Sequence, residues 1–312
     1  MRAFIFPGQG SQAVGMGRVV AEAFAPAREV FEEVDEALSQ RLSRLMWEGP
    51  ESDLVLTENA QPAIMAASMA IIRVLQKQAG LDLAKHARVA AGHSLGEYTA
   101  LCAAGAFTLS DTARLVRLRG IAMQAASPVG VGSMAALIGI DIEAAEAAVA
   151  EAADAGVVVV ANDNAPGQIV ISGEKAAVDR CGEIAKTKGA KRVIPLSVST
   201  ANHSPLLAPA GMRMRDALAQ ITIRPPAVPV VANVTAAEVA EPDTIRRLLA
   251  EQVTSRVRWR ESVASFAALG VTITVEAGGN KVLTGMVKRI DKELETMTLD
   301  SPADIEAFAK TL

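Results

Sequence analysis

The feature that most constrains this chain is the run Gly92-His93-Ser94-Leu95-Gly96, in which two glycines flank a serine. An apolar run at 87–91 precedes it, and 95–106 has the composition of a helix. Because glycine has no Cβ, the chain can turn sharply from strand to helix and lift the serine clear of the backbone. The new helix also points free amides at whatever reacts there. The motif therefore predicts an α/β fold with a nucleophilic serine, with an ordinary glycine turn as the alternative.

Composition limits the class of protein further. The chain has 312 residues, of which 50% are hydrophobic but only 3% aromatic, so small aliphatic side chains must fill the core, as in sheets covered by helices. A net charge of −4 gives no electrostatic field that would attract nucleic acid or an anionic membrane. Cys102 and Cys181 lack metal-type spacing, and no run is long enough to span a bilayer. We therefore expect a cytoplasmic protein without a metal site.

Hydrophobic periodicity divides the chain into two units. Segment 130–199 has the order strand, helix, strand, strand, helix, strand, with Pro166-Gly167 as the hairpin turn, which predicts an inserted ferredoxin-like βαββαβ subdomain. Residues 1–129 and 200–312 would form one discontinuous α/β-hydrolase-like domain with a parallel sheet. Other helices are expected at 19–38, 61–78, 112–126, 244–251 and 282–290, and other strands at 4–6, 228–234 and 271–276. The cleft between the two units is the expected ligand site.

A serine hydroxyl needs a base within hydrogen-bond reach, and the chain has three histidines. His86 lies in the polar segment that precedes the predicted strand, a position typical of a solvent-exposed residue. His93 adjoins Ser94, but neighbours on such a turn point apart, so it is expected to pack beneath it. His203 is the remaining candidate, with a structural or exposed loop histidine as the alternative.

Arg119 is the second candidate site residue. In the predicted helix 112–126 it shares a face with Leu115 and Ala122, and that stripe is otherwise apolar. A buried arginine needs a partner, and its planar fork is shaped to hold a carboxylate through two parallel hydrogen bonds. The sequence leaves open whether that carboxylate belongs to an internal acidic residue or to a ligand.

The loop Gly8-Gln9-Gly10-Ser11-Gln12-Ala13 follows the first strand and satisfies the dinucleotide-binding pattern G-x-G-x-x-A. That pattern requires a second strand ending in an acidic residue about 20 positions later, where this chain has a helical pattern around 31–34. The nucleotide interpretation is therefore disfavoured, and no cofactor is expected.

Three motifs together identify a family. The run 92–98, the loop 6–12 and the run Asn164-Ala165-Pro166-Gly167-Gln168 resemble the malonyl-coenzyme A:acyl carrier protein transacylases of fatty acid synthesis and the related acyltransferases of polyketide synthases. The resemblance extends from Phe4 to about Arg289. It implies two-step malonyl transfer through a malonyl-serine ester, with malonyl-CoA and acyl carrier protein as partners, no cofactor, and no nucleic acid or membrane. A monomer is expected.

The resemblance also implies roles for individual residues. Ser94 would be the nucleophile and His203 its base, with the backbone carbonyl of Gln252, instead of a carboxylate, orienting the imidazole. The backbone amides of Gln9 and Leu95 would form the oxyanion hole.

A second set of residues would hold the acyl group. Arg119 matches the family's arginine that grips the malonyl carboxylate, and Gln9 and Asn164 are expected to contact the substrate. Asn202 stands where relatives usually carry phenylalanine or a smaller residue, and it is expected to widen or polarise the acyl pocket. Three alternatives remain: a trans-acting polyketide acyltransferase, a serine hydrolase or thioesterase with the same turn, and a non-catalytic carrier-docking module.

Overall fold

The computed structural model describes residues 1–127, 130–196, 198 and 200–312. The expected boundaries of the insertion fall on Val129 and Ser199, which lie outside these residues. The described chain has a mixed α/β fold with two sheets, one of six and one of four strands.

The described residues form ten strands, numbered here in chain order. They are β1 (Arg2–Phe6), β2 (Val89–Gly92), β3 (Gly132–Ile138), β4 (Val158–Ala165), β5 (Gln168–Glu174), β6 (Arg192–Pro195), β7 (Val230–Val231), β8 (Glu238–Val239), β9 (Ile273–Ala277) and β10 (Glu295–Leu299).

Fifteen α-helices connect these strands within the described residues. They are α1 (Arg18–Ala23), α2 (Ala25–Leu38), α3 (Leu42–Glu48), α4 (Glu51–Leu54), α5 (Thr57–Gln78), α6 (Leu83–His86), α7 (Leu95–Ala103), α8 (Leu109–Ala126), α9 (Ile142–Glu151), α10 (Lys175–Thr187), α11 (Ala208–Ala219), α12 (Pro242–Gln252), α13 (Trp259–Ala268), α14 (Val282–Ile290) and α15 (Pro302–Ala309).

The larger sheet has the order β10-β9-β1-β2-β7-β8, and its pairs are parallel except for β7 with β8. Successive residues of β1 alternate between two cores, because side chains on a strand point to opposite faces. Phe4 and Phe6 pack in one core, and Ala3 and Ile5 in the other. Since parallel strands end at the same edge, the loops after β1, β2 and β7 meet there.

The smaller sheet has the order β4-β5-β3-β6, and its pairs are antiparallel. Alternate residues of β3 again point to opposite faces of the sheet. Ala135 and Leu137 pack under α9 and α10, whereas Met134 and Ala136 belong to a small apolar cluster on the opposite face. The turn between β4 and β5 is at Pro166-Gly167, as predicted.

Hydrogen bonds join the smaller sheet to the segment between α12 and α13. The Val257 N–H donates to the Ala161 carbonyl at 2.8 Å, and the Asp163 N–H donates to the Val257 carbonyl at 3.0 Å. The segment between Ser127 and Ala201 begins and ends at neighbouring points, since the Ala201 N–H donates to the Ser127 hydroxyl at 3.1 Å. The smaller sheet is therefore held beside the edge where the loops of the larger sheet meet.

Several predicted boundaries were wrong. The expected helix 19–38 is two helices, because Phe24 is extended and Pro26 starts α2 in a position that lacks a helical hydrogen bond anyway. The expected strand 228–234 pairs only over Val230–Val231. Elements that were not predicted include α13, β10 and α15.

Candidate active site

Ser94 lies on a strained turn between β2 and α7, with φ 53° and ψ −112°. The flanking glycines are required by close backbone contacts. A Cβ on Gly92 would lie 1.9 Å from the Gly96 carbonyl oxygen, and a Cβ on Gly96 would lie 2.2 Å from the Phe6 carbonyl oxygen. The turn can form because both glycines lack a side chain, and it presents the Ser94 hydroxyl to a cavity.

We expect Gly96→Ala to destabilise the protein by about 3 kcal/mol or to prevent folding, because the new methyl group overlaps main-chain atoms of β1. Gly285→Ala in α14 is the matched control, since a Cβ there meets nothing within 4 Å. Urea unfolding of both variants measures the difference. Equal unfolding midpoints for Gly96→Ala and wild type would contradict this account of the turn.

The hydroxyl of Ser94 and the ring of His203 are in hydrogen-bond contact, with Oγ 2.8 Å from Nε2. The other ring nitrogen, Nδ1, lies 2.8 Å from the Gln252 carbonyl and 3.0 Å from the Ser255 carbonyl. Because a carbonyl can only accept, Nδ1 carries the proton and Nε2 is left as an acceptor. Gln252 ends α12, so its carbonyl is one that the helix leaves unbonded. The expected contact of Gln252 with His203 is present, and that of Ser255 was not predicted.

His203 is kept neutral by its surroundings. Burial, followed by the positive charge of Arg119, lowers the pKa of this histidine from 6.5 to about 3, against the opposing effect of the two carbonyls. A neutral imidazole with a free Nε2 can accept a proton from Ser94.

The same effect makes stability depend on pH. Because the pKa of His203 is lower in the folded chain, its contribution to stability is full above 6.5 and is lost as the pH falls toward about 3. We expect wild type to lose about 3 kcal/mol more than His203→Gln between about pH 7 and about pH 4 in urea unfolding. His86→Gln is the matched control. Equal losses in wild type and His203→Gln would mean that the folded chain protonates His203 normally.

Arg119 on α8 is 1% exposed and lies beside the nucleophile. Its Nη2 donates to Ser94 Oγ at 3.1 Å and to Gln252 Oε1 at 3.1 Å, and its Nη1 donates to Gln61 Oε1 at 2.9 Å. The Nε–H has no hydrogen-bond partner among the described residues. The guanidinium therefore keeps donor capacity next to the point where an acyl group on Ser94 would lie.

The predicted oxyanion amides belong to Gln9 and Leu95. Leu95 is the first residue of α7, and Gln9 follows Gly8, where a Cβ would lie 2.6 Å from the His93 carbonyl oxygen. Both residues line the cavity beside Ser94. Within the described part of the chain neither N–H donates a hydrogen bond to the protein. Two amides without a protein partner among the described residues therefore belong to residues that line the cavity beside Ser94.

The remaining predicted residues also line the cavity. Asn164 Oδ1 lies 2.8 Å from His93 Nε2, so His93 lines the wall and does not pack beneath the turn as expected. The ring of His93 also meets Trp259 edge-on at 5.7 Å between centroids. Asn202 accepts a hydrogen bond from Thr200 at 2.6 Å.

Sequence reasoning missed two buried polar residues behind the turn. Asn233 accepts a hydrogen bond from the Ser94 N–H at 2.7 Å and donates to the Gly92 carbonyl at 2.7 Å. Glu97 accepts from the Asn233 N–H at 3.0 Å and from the Gln252 side chain at 2.7 Å. Two signals could have found them: Asn233 lies near the carboxyl end of a predicted strand, and Glu97 is an acid in the first turn of the helix after the serine.

The cavity has a volume of about 430 Å³ and lies between the two sheets. Loops and helices next to the larger sheet form one side of its wall, and strands of the smaller sheet form the other. Its lining includes Gln9, Ser94, Leu95, Arg119, Asn202, His203 and Met286, together with Met134, Asn162, Asn164 and Val170 from the smaller sheet. This volume is within the range of pockets that bind small molecules.

Other classes of site find no support in the described residues. They contain no cluster of three or more side chains that could hold a metal ion. The region around 31–34 is part of α2, so the strand that a dinucleotide motif requires after the first loop is a helix here. None of the described helices is long and apolar enough to cross a bilayer.

A nucleophilic turn, a buried arginine and two free amides in a mixed α/β fold indicate acyl chemistry on a serine. A family model described as an acyl transferase domain matches residues 3–301. The chain belongs to the acyl transferase family.

Within that family the chain is similar to transferases of malonyl groups. The malonyl CoA-acyl carrier protein transacylase of Bacillus subtilis (strain 168) is 43% identical over 311 residues, which are 99% of this chain and 96% of that protein. The crystal structure of an acyl-carrier-protein-S-malonyltransferase from Bartonella henselae is 52% identical with a TM-score of 0.97, covering 99% of this chain and 98% of that one. A malonyl-transacylase solved in complex with a type II PKS acyl-carrier protein is 40% identical with a TM-score of 0.96, and the match covers 100% of this chain and 99% of that one.

Proposed function

We propose that this chain transfers a malonyl group from malonyl-CoA to the phosphopantetheine thiol of acyl carrier protein, and so supplies extender units for fatty acid synthesis. One observation carries the proposal: Arg119 Nη2 lies 3.1 Å from the same Ser94 Oγ that contacts His203. A carboxylate-binding group beside the nucleophile suits an acyl group that ends in a carboxylate. The names of the similar proteins support the same reaction.

In the first half-reaction His203 Nε2 takes the Ser94 proton while Oγ attacks the thioester carbonyl carbon. The negative charge that develops on the carbonyl oxygen is stabilised by the amides of Gln9 and Leu95. The carbon–sulfur bond then breaks, and the CoA sulfur leaves with the proton from His203. A malonyl ester on Ser94 remains.

The second half-reaction reverses these roles with a different thiol. The phosphopantetheine thiol gives its proton to His203 Nε2, and its sulfur attacks the ester carbonyl. The carbon–oxygen bond breaks, and Ser94 Oγ regains the proton. Arg119 holds the malonyl carboxylate throughout, and Asn164 and Asn202 contact the rest of the substrate from the cavity wall.

Mass spectrometry tests this function directly. The protein is mixed with malonyl-CoA and should gain the mass of one malonyl group on Ser94, and that mass should move to acyl carrier protein when carrier is added. A serine hydrolase would release free malonate without carrier, and a docking module would form no adduct. Either result would contradict the proposal.

A polyketide carrier is a second candidate acceptor, because one similar structure is a malonyl-transacylase in complex with a type II PKS acyl-carrier protein. The same assay with carriers of both kinds decides which is preferred. Faster transfer to the polyketide carrier would assign the chain to that pathway.

We also propose that residues 1–129 and 200–312 form an α/β-hydrolase-like domain and residues 130–199 an inserted ferredoxin-like subdomain. The order β4-β5-β3-β6 supports the second part, because it is the order of a βαββαβ unit with antiparallel pairs. The parallel pairs around β2 and the turn at Ser94 support the first.

Three further properties are part of the proposal. The enzyme works without a cofactor, since a serine, a histidine and two amides suffice for acyl transfer. It acts as a monomer, since Ser94, His203 and Arg119 come from one chain. It acts in the cytoplasm, which agrees with Cys102 and Cys181 being free.

A further inference from the structure

Arg119 is a buried cation without a directly bonded carboxylate. Among the described residues none of the salt bridges involves Arg119, and its three hydrogen-bond acceptors are Gln61, Ser94 and Gln252. Its guanidinium also lies 5.7 Å from the centre of the Tyr98 ring. A buried charge with neutral partners alone is costly, so a compensating charge is expected nearby.

Glu97 is that charge, and it reaches Arg119 through one amide. Arg119 Nη2 donates to Gln252 Oε1 at 3.1 Å, and Gln252 Nε2 donates to Glu97 Oε2 at 2.7 Å. The Asn233 N–H fixes the same carboxylate oxygen at 3.0 Å. Glu97 is 2% exposed, so little water screens its interaction with Arg119.

The amide between the two charges has a chemical consequence. A carboxylate bonded directly to Arg119 would occupy the planar fork that a substrate carboxylate needs. With Gln252 in between, Glu97 compensates the charge of Arg119 from a distance while the Nε–H keeps no partner among the described residues. The guanidinium of Arg119 can therefore stay charged and still accept a carboxylate.

We propose that Glu97 is a positioning residue that acts through the Gln252 side chain, and that its negative charge weakens the hold of Arg119 on a malonyl carboxylate. This inference rests on the proposed function. Glu97 and the malonyl carboxylate share one cation, so each reduces the attraction available to the other. A site that passes malonyl to a second acceptor must not bind the malonyl carboxylate too tightly, because tight binding of this group slows turnover.

Removing the charge of Glu97 should therefore tighten malonyl binding. In a Ser94→Ala background, which binds without forming the ester, Glu97→Gln should bind malonyl-CoA about threefold to tenfold more tightly and leave acetyl-CoA unchanged. The glutamine retains an oxygen that can accept from Asn233 and Gln252. Calorimetry at about pH 8.5 is appropriate, because burial raises the pKa of Glu97 to about 7 and the carboxyl must be ionised.

Glu251→Gln is the matched control, because Glu251 lies on α12 next to Gln252 but is paired with Arg247 at the surface. It should change neither affinity. A merely structural role for Glu97 would weaken both ligands in Glu97→Gln, and that result, or an unchanged malonyl-to-acetyl ratio, would overturn the proposal.

A second variant tests the inference by moving the negative charge toward Arg119 instead of removing it. The double variant Gln252→Glu with Glu97→Gln keeps the net charge and moves the carboxylate next to Arg119. It should weaken malonyl-CoA by about tenfold or more while acetyl-CoA changes by about twofold at most. Equal weakening of both ligands would overturn the inference.

The two proposals can fail separately. If wild type forms the malonyl adduct and the Ser94→Ala protein prefers malonyl-CoA to acetyl-CoA, the proposed function stands whatever Glu97→Gln does. If that preference is absent, Arg119 does not hold the carboxylate, and the inference about Glu97 is overturned with it.

Discussion

Ser94→Ala abolishes the malonyl adduct, and His203→Ala slows its formation by about a hundredfold or more, if the contact between the two side chains is the catalytic one. Alanine at 94 removes the atom that carries the ester. Alanine at 203 leaves the hydroxyl without a proton acceptor, although Arg119 still donates to Oγ at 3.1 Å and lowers the cost of forming an alkoxide.

The rate of adduct formation is measured by mass spectrometry on stopped reactions, with peptide mapping of the modified residue. His86→Ala is the matched control, because His86 is bonded to the Asp82 N–H and is not among the cavity-lining residues. An adduct that maps to another residue, or one that forms at full rate in Ser94→Ala, would show that Ser94 is not the nucleophile.

Arg119→Ala lowers malonyl transfer by more than tenfold and leaves acetyl transfer unchanged or raised. The malonyl group loses a charge-assisted pair in a desolvated pocket, whereas an acetyl group makes no such pair. In the variant an acetyl group also no longer leaves a buried cation without a partner. Arg119→Lys should restore malonyl transfer only in part, because a point charge cannot reproduce the two parallel bonds of the fork.

Transfer of both acyl groups from CoA to carrier protein measures the selectivity of each variant. Arg117→Ala is the matched control, since Arg117 is on the same helix but donates to Asn59 instead of lining the cavity. If Arg119→Ala reduced both transfers by one factor, the residue would be a structural support, and the carboxylate interpretation would be wrong.

Local sequence predicted the parts of the fold that local physics determines. Helix α14 begins and ends at the predicted residues, 282 and 290, because Gly278-Gly279-Asn280 turns the chain just before it. Strand β10 was not predicted, because its pairing with β9 depends on a distant segment. The break at Phe24 was missed because the apolar spacing continues across it.

The residues of the candidate site also divide into those that local sequence features indicate and those whose roles depend on distant contacts. Ser94, Arg119 and His203 could be singled out because of a motif, a lone charge on an apolar face and a shortage of histidines. The resemblance to a family was still needed to choose a role for Arg119 and His203. Glu97 and Asn233 are harder to predict from the sequence, because their roles arise from hydrogen bonds between segments 136 residues apart. The second carbonyl on His203, from Ser255, depends on how the chain leaves α12, which periodicity does not describe.

The hydrogen bond between Ala201 and Ser127 has an evolutionary consequence. It holds together the two ends of the segment that carries the smaller sheet, so this segment closes a loop whose ends are already adjacent. That segment supplies Met134, Asn162 and Val170 to the cavity wall but neither Ser94 nor His203. Mutation or recombination within it can change which acyl chains fit while the reacting atoms keep their positions. Substrate range and chemistry are thus free to diverge at different rates in descendants of this chain.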